Sequence, residues 1–122
     1  MERIVPTLTR MTITEPTETR PFAGHGRMDV YTQGDFTIGR GVFEPGWVWS
    51  NDVKPIASTE RCMARHTGLC ESGSMVIRAE DGTEQTLSAG DVFVVEPGHD
   101  AWTVGDEACV LIDTAITGYA TK

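Results

Sequence analysis

A short segment near the middle of the chain carries three side chains that could bind a metal ion. It reads Glu60-Arg-Cys62-Met-Ala-Arg-His66. Side chains alternate between the two faces of an unbroken β-strand, so Glu60, Cys62 and His66 would share one face. A carboxylate, a thiolate and an imidazole are all ligands for Zn²⁺ and for other divalent transition metals. The spacing therefore permits a metal site without requiring one.

A second imidazole, His99, follows the turn at 96–98 and gives the chain a possible acid–base pair with His66. An imidazole in a partly desolvated pocket can act as a general base or acid near neutral pH. Glu60 is the carboxylate predicted to orient the imidazoles, since Asp100 and His99 would point to opposite faces of a strand. The alternative is that both histidines are buried structural residues whose hydrogen bonds are satisfied.

Two tryptophans and one lysine are candidates for lining a binding pocket. Trp47 and Trp49 flank a single valine, so an extended backbone would place both indoles on one face. There they would either close the end of the hydrophobic core or form an aromatic wall for a ligand. Lys54 falls in a predicted loop over 51–59, either as a solvated surface residue or as a cation or Schiff-base amine at the cavity entrance.

The rest of the chain predicts the all-β domain that would position these side chains. Its 122 residues suffice for one domain with a real core. Thirteen glycines and six prolines separate short runs rich in Val, Ile, Phe and Thr, without a long segment of helical periodicity. Strands are predicted at 28–31, 36–43, 67–72, 75–78, 84–87, 92–95, 99–104 and 109–113. The run at 92–95 is apolar throughout, which predicts burial on both of its faces.

The net charge and the cysteine content indicate which partners and which cellular environment suit the chain. A net charge of −8 argues against nucleic acid as a partner, because phosphate binding needs clustered Lys and Arg. The sequence shows neither a long apolar run nor a signal-peptide pattern, so we expect no membrane contact and a cytoplasmic location. Cys62, Cys70 and Cys109 are odd in number and lie in or beside apolar runs, which favours buried, reduced thiols over disulfides.

The stretch from Gly73 to Trp102 resembles the cupin superfamily, whose members are small β-barrels of the jelly-roll kind. Gly90 is followed by five residues and then by Glu96-Pro97-Gly98, close to the second cupin motif. The sixteen residues between Gly73 and Gly90 agree with the short spacing between the motifs of small bacterial single-domain cupins. The resemblance implies an all-β, cupin jelly-roll barrel of two antiparallel sheets. Pro6, Pro16 and Pro21 exclude a long helix before it and predict an extended N-terminal arm.

The same resemblance implies an altered metal site. The four ligand positions of metal-binding cupins usually hold His, His, Glu and His. In this sequence they hold, in that order, Glu60, Cys62, His66 and Ala101. The nearest histidine to the last position is His99, two residues earlier. We therefore expect no cofactor, with a divalent metal as the alternative.

The expected organisation is an extended arm at 1–27, a cupin barrel at 28–115 and a tail at 116–122. A jelly roll leaves sheet edges exposed, so we expect a homodimer in which the arm covers an edge of the partner.

Three functions stay open from the sequence. The first is an acid–base enzyme of the isomerase, cyclase or lyase (dehydratase) type, with His66, His99 and Glu60 as catalytic residues acting on a small organic molecule. Its binding pocket would be lined by Trp47, Trp49, Lys54, Cys62, Phe93 and Trp102. The second is a sensor or carrier without turnover. The third is a metal-dependent, dioxygenase-like cupin whose Zn, Fe, Mn or Ni ion is held by Glu60, Cys62, His66 and His99.

Overall fold

The computed structural model describes residues 7–57 and 59–115 as a fold made mostly of β-strands. Its strands are β1 (Glu18–Pro21), β2 (Gly26–Gln33), β3 (Phe36–Phe43), β4 (His66–Ser72), β5 (Ser74–Ala79), β6 (Glu84–Ser88), β7 (Val92–Val95), β8 (His99–Val104) and β9 (Cys109–Asp113). Two single-turn helices, α1 (Trp49–Asp52) and α2 (Lys54–Ala57), lie between β3 and β4. Neither is long and apolar enough to cross a membrane, and the described residues contain no other helix.

The strands form two sheets in which every pairing is antiparallel. The larger sheet has the order β1-β2-β3-β9-β4-β7, and the smaller one the order β6-β5-β8. The inward-facing side chains of both sheets meet in one apolar core, to which the large sheet contributes Met28, Phe43 and Leu111 and the small sheet Met75 and Leu87. This arrangement confirms the predicted all-β fold of two antiparallel sheets, while closure into a barrel stays a prediction.

Two turns need glycine for the chain to reverse where it does. Gly73 joins β4 to β5 with a φ of 73°, and a Cβ there would lie 2.2 Å from the carbonyl oxygen of Ala108. Gly98, with a φ of 96°, is the last residue of the turn after β7, and β8 begins at the next residue, His99. Both backbones lie in the left-handed region, which only glycine adopts readily. The second turn sets the position of one of the candidate histidines.

The structure differs from the sequence prediction at β7 and between β3 and β4. Val92 and Val94 are 80% and 59% exposed, so β7 is not buried on both faces. It is the edge strand of the large sheet, and no described element covers its outer face. The predicted loop at 51–59 contains α2 and the end of α1. The carboxylate of Asp52 accepts a hydrogen bond from the backbone N–H of Val48 at 2.9 Å, which supports the first turn of α1.

The N-terminal residues are partly incorporated in the large sheet. β1 pairs with β2 along its whole length, and β2 begins at Gly26, inside the predicted arm. β1 contains Pro21 and occupies a sheet edge, where the missing N–H of proline costs no ladder hydrogen bond. The division into arm, barrel and tail stays a prediction, and the predicted tail at 116–122 lies outside the described residues.

Candidate functional site

Cys62, His66 and His99 come together in the interior between the sheets. One ligand atom from each lies within 4.8 Å of the others, and all three side chains are buried. Cys62 precedes β4 and pairs through its backbone with His99, whose carbonyl accepts its N–H at 2.9 Å. His66 is the first residue of β4, where its register partner is Val95 of β7. Two segments distant in sequence, residues 62–66 and the start of β8, thus supply the three donors.

Both histidines are oriented so that Nε2 remains available. His99 Nδ1 lies 2.8 Å from the carbonyl oxygen of Glu96, and His66 Nδ1 lies 2.9 Å from the carbonyl oxygen of Ala115. A carbonyl oxygen can only accept, so each Nδ1 carries the proton. A histidine that is neutral and protonated on Nδ1 presents a lone pair at Nε2, the state in which imidazole binds a metal ion.

A buried carboxylate, that of Asp113, lies next to Nδ1 of His66. Asp113 is fully buried, and its Oδ2 lies 2.9 Å from His66 Nδ1. The hydrogen bond of Nδ1 is directed at Ala115, so the contact with Asp113 is best described as an ion pair beside it. On its other oxygen, Asp113 accepts the backbone N–H of Ala115 at 2.8 Å. The carboxylate fixes the ring and stabilises positive charge on it.

The electrostatics of the cluster favour a thiolate next to an imidazolium. Cys62 Sγ lies 3.3 Å from His66 Nε2. Burial raises the pKa of the Cys62 thiol, but hydrogen bonds and charge from His66 and His99 outweigh burial and lower the pKa to about 6. Burial lowers the pKa of His66, but Asp113 and the Cys62 thiolate outweigh it and raise the pKa to about 9. The attraction between the thiolate and the imidazolium contributes to both shifts, to which Asp113 adds at His66 and His99 at Cys62.

The cluster lines a small, largely apolar cavity. The cavity has a volume of about 20 Å³, which is room for a single water-sized ligand or a metal ion. Its walls are Trp47, Trp49, Cys62, His66, Met75, Ile77, Leu87, Phe93, Val95, His99, Ala101 and Leu111. A low-dielectric wall strengthens electrostatic interactions at the three donors.

A larger, open groove adjoins the cavity. Its volume is about 390 Å³, within the range of small-molecule binding sites. It lies beside β5, β6 and β7, with Thr83 and Gln85 among its polar residues. The residues it shares with the cavity are Ile77, Leu87, Phe93, Val95 and His99. His99 is the member of the three-residue cluster that lines both the cavity and the groove.

The two tryptophans are held in the cavity wall by strand β8. The carbonyl of Trp47 accepts the N–H of Thr103 at 3.0 Å, and Val48 forms a β-bridge with Trp102. Trp49 begins α1, so the extended segment that would alternate faces ends at Val48. Both indoles nevertheless line the cavity and are 1% exposed. The backbone contacts of Trp47 and Val48 with β8 hold the first indole, and the start of α1 holds the second.

The structure brings together six of the nine side chains proposed for the site. Those that line the cavity are Trp47, Trp49, Cys62, His66, Phe93 and His99. The expectation that Glu60 shares a face with Cys62 and His66 is wrong. Glu60 lies in a bend at 59–61, its side chain is 91% exposed, and it forms an ion pair with Lys54 at 3.0 Å on the surface. Residues 59–65 do not form an unbroken strand, so period-two alternation does not apply to them.

Lys54 and Trp102 also lie outside the cavity and the groove. Lys54 points to the surface from α2. Trp102 is half-buried on the face of β8 opposite to that of His99 and Ala101. The predicted placement of both at the pocket is therefore wrong, since strand alternation puts Trp102 on the other side of the sheet.

Asp113 is the residue that the sequence analysis missed. It ends β9, where Cys109, Leu111 and Asp113 alternate on the buried face. The sequence does contain a signal for Asp113, since this carboxylate shares one strand face with two inward-facing apolar side chains. A charge buried on that face needs a partner.

Likenesses to known proteins support the fold. No protein-family model and no curated protein sequence matches the chain. A solved protein of unknown function from an Acinetobacter species matches with a TM-score of 0.58 and 16% identity, over 81% of this chain and 90% of its own. An RmlC-like cupin from Shewanella frigidimarina gives 0.57 and 20%, over 88% and 90%. A Klebsiella pneumoniae protein with a double-stranded beta-helix domain gives 0.56 and 22%, over 84% and 85%.

These likenesses and the two antiparallel sheets define the chain as a protein with a small cupin fold. At this level of identity the fold is shared, and what this chain binds or catalyses must be argued from its own side chains.

Proposed function

We propose that the chain is a metal-binding cupin in which Cys62, His66 and His99 hold one divalent transition-metal ion and a small organic molecule binds beside it. One observation carries this proposal. Both histidines have Nδ1 engaged with backbone carbonyls, which leaves Nε2 as the nitrogen that can bind an ion, and one ligand atom from each of Cys62, His66 and His99 lies within 4.8 Å of the others. This is how metal-binding histidines are oriented in proteins.

The donor set fits such an ion. Two imidazole nitrogens and one thiolate suit zinc first, and iron, nickel or copper after it. A thiolate and neutral imidazoles are the forms that bind: the lowered pKa of Cys62 supplies the thiolate at neutral pH, whereas His66, whose pKa is raised to about 9, must release a proton to the solvent when the ion binds. Three protein ligands leave a coordination position open, which distinguishes catalytic from structural zinc sites. When bound, the ion supplies Lewis acidity toward a carbonyl or hydroxyl oxygen.

The groove supports the second half of the proposal. It has the volume of a small-molecule site and shares His99 and Phe93 with the cavity. Its largely apolar lining, with Thr83 and Gln85 as neutral hydrogen-bonding residues, suits a small organic molecule with few polar groups. The reaction class that follows is a Lewis-acid-assisted isomerisation or lyase step.

The test is metal binding by matched variants. We expect the purified protein to bind Zn²⁺ stoichiometrically. Cys62→Ser, His66→Ala and His99→Ala should each weaken the affinity by at least the roughly hundredfold that the loss of an outer partner can cost. Cys70→Ala is the matched control, since Cys70 is equally buried but does not line the cavity. Affinity is measured by competition with a chelator. Equal zinc affinity in all four variants and the unmodified protein would contradict the proposal.

A second candidate is metal-independent catalysis by the same side chains. Cys62, His66 and Asp113 form a chain with contacts of 3.3 Å and 2.9 Å, the order of groups in a nucleophile–base–carboxylate triad. His66 and His99 would then act as acid and base in an isomerase, cyclase or lyase. Turnover that is unchanged after exhaustive chelation would favour this candidate. Turnover that is lost and then restored by Zn²⁺ would favour the metal.

A further inference from the structure

The outer face of the large sheet is unusually apolar. The strands β4, β7 and β9 turn Cys70, Phe93 and Leu111 into the core, so their alternate residues point outward. Nine large apolar side chains are exposed in the described part of the chain, and six of them lie on or beside this outer face. These six are Met11, Ile13, Phe36, Leu69, Val92 and Val94, and they are between 37% and 80% exposed.

The six side chains form one continuous patch. Leu69 is opposite Val92 of β7 on one side and opposite Ile112 of β9 on the other, and residues opposite each other in antiparallel strands share a face. Val94 follows two residues after Val92 and points to the same side. Ile112 also lines an apolar pocket of about 240 Å³. The exposed side chains around that pocket are Met11, Ile13 and Phe36.

The patch approaches the area of a stable protein interface. A large side chain has on the order of 200 Å² of surface, so six that are roughly half exposed present on the order of 600 Å². The largest apolar patch on a monomeric protein is typically about 300–600 Å². With the half-buried Ile38 and Ile112 added, the face comes close to the roughly 800 Å² that each partner buries in an interface of standard size.

Charged residues next to the patch occur as neutral pairs. Ile112 is opposite Arg40, whose guanidinium contacts the Glu71 carboxylate at 3.0 Å and 2.8 Å. Asp29 is opposite Arg40 on β2 and pairs with Arg27 at 3.2 Å. These four residues carry no net charge, although the whole chain has a net charge of −8. A strongly charged partner would find no complementary charge at this face, whereas an identical face matches it.

We propose that this face is the surface through which two copies of the chain form a dimer, with Met11, Ile13, Phe36, Leu69, Val92 and Val94 at its centre. In a two-fold dimer the same face meets itself, so each of these side chains is covered in both copies. The contact also shields the exposed valines of β7, the edge strand of the large sheet. The inference does not depend on the metal site.

The proposed dimer differs from the arm exchange that the sequence suggests. Ile13 lies before β1, and its carbonyl accepts a hydrogen bond from the hydroxyl of Tyr31 in the same chain at 2.7 Å. Tyr31 is opposite Ile38 on β3, so this contact ties the arm to the outer face of its own sheet. The arm therefore contributes Met11 and Ile13 to the patch without leaving its own chain.

The partner copy would also border the groove beside the cavity. Val92 and Val94 line that groove and belong to the apolar patch. A second copy seated on the patch is therefore expected at the rim of the groove, where it adds to the surface that a bound molecule meets.

The test is the mass of matched aspartate variants, measured by sedimentation equilibrium over a dilution series. The unmodified protein should form a species of twice its mass of 13.3 kDa. Val92→Asp and Leu69→Asp should each weaken the dimer by at least about a hundredfold, because a two-fold interface carries the new charge in both copies and like charges in an interface are costly. Val104→Asp is the matched control. Val104 is 40% exposed on β8 of the small sheet, so its variant should dimerise as the unmodified protein does.

Circular dichroism checks that each variant is folded, and Val92→Asp decides if Leu69→Asp does not fold, since Val92 is 80% exposed. A mass of 13.3 kDa for the unmodified protein throughout the series would overturn the proposal and point to another occupant, such as residues 1–6 of the same chain or a different protein. A dimer that withstands Val92→Asp, or that Val104→Asp weakens as much, would place the interface elsewhere and overturn the proposal too.

Discussion

The protein buries its cysteines in two clusters, one formed by Cys62 with His66 and His99 and the other by Cys70 with Cys109. The two clusters differ in what surrounds the sulfur atoms. Cys62 contacts the imidazole of His66 in the cavity. Cys70 and Cys109 lie with their Sγ atoms 3.9 Å apart, close to the turn between β4 and β5. All three thiols are free and buried, as the sequence predicts.

The two clusters show that burial alone does not make a thiol reactive. Burial raises the pKa of all three thiols. At Cys62 two imidazoles reverse this effect, whereas Cys109 has its pKa raised further by the nearby Cys70. A buried thiol becomes a ligand or a nucleophile only when a cationic partner is buried with it. Cys70 and Cys109 are small apolar core residues by this criterion.

The largest expected difference between the clusters is in acidity. In the metal-free protein one thiol should ionise with a midpoint near pH 6, against an ordinary value of 9.0, which is roughly a thousandfold in acid strength. Because the pKa is lowered, the thiolate persists above this midpoint and is lost as the pH falls through it. The ultraviolet absorbance of the thiolate measures the transition. A transition that survives in Cys62→Ser, or that occurs only above pH 8, would contradict the assignment of the acidic thiol to Cys62.

The next largest effect concerns the carboxylate behind His66. Asp113→Asn keeps the shape of the side chain and removes its charge, so the zinc affinity should fall by about 10–100-fold. The pKa of the His66 ring should fall as well, since Asp113 is a principal cause of its increase. Chelator competition and the ring signals in nuclear magnetic resonance measure the two effects. An unchanged His66 pKa would show that the carboxylate does not act on the ring.

The smallest effect is expected at the other cluster. Cys70→Ala removes a buried sulfur and should lower the free energy of unfolding by about 1–2 kcal/mol, as other small deletions in cores do. Its zinc affinity should equal that of the unmodified protein, because Cys70 does not line the cavity. Urea unfolding measures the first quantity and chelator competition the second. A large loss of zinc affinity in this variant would erase the distinction between the clusters.

Much of the fold could be predicted because it rests on local signals. Alternating apolar residues and glycine-bounded turns mark most of the strands, and Gly73 and Gly98 sit at turns where a side chain is excluded or strained. β1 and α1 were missed, since β1 is a short polar edge strand and α1 a single turn supported by contacts with distant residues such as Asp100. Exposure of β7 depends on which strand ends the sheet, and the sequence does not encode this locally.

Strand alternation predicted the two histidines of the candidate site. His66 and His99 begin regular strands, and the structure places both at the cavity. His99 lies on the same face of β8 as Ala101, so a histidine two residues before the usual cupin position still faces inward. The prediction placed Glu60 wrongly because this residue lies in a bend at 59–61, where the side chains do not alternate as in a strand. Asp113 was missed because its partner, His66, lies 47 residues away along the chain.

The most direct test of the central claim is X-ray absorption at the metal edge of the zinc-loaded protein. We predict a first coordination shell with one sulfur at about 2.3 Å and two imidazole nitrogens at about 2.0–2.1 Å. The sulfur contribution should vanish in Cys62→Ser and persist in Cys70→Ala. A shell of oxygen and nitrogen without sulfur in the unmodified protein would contradict the assignment of Cys62, His66 and His99 as the metal site.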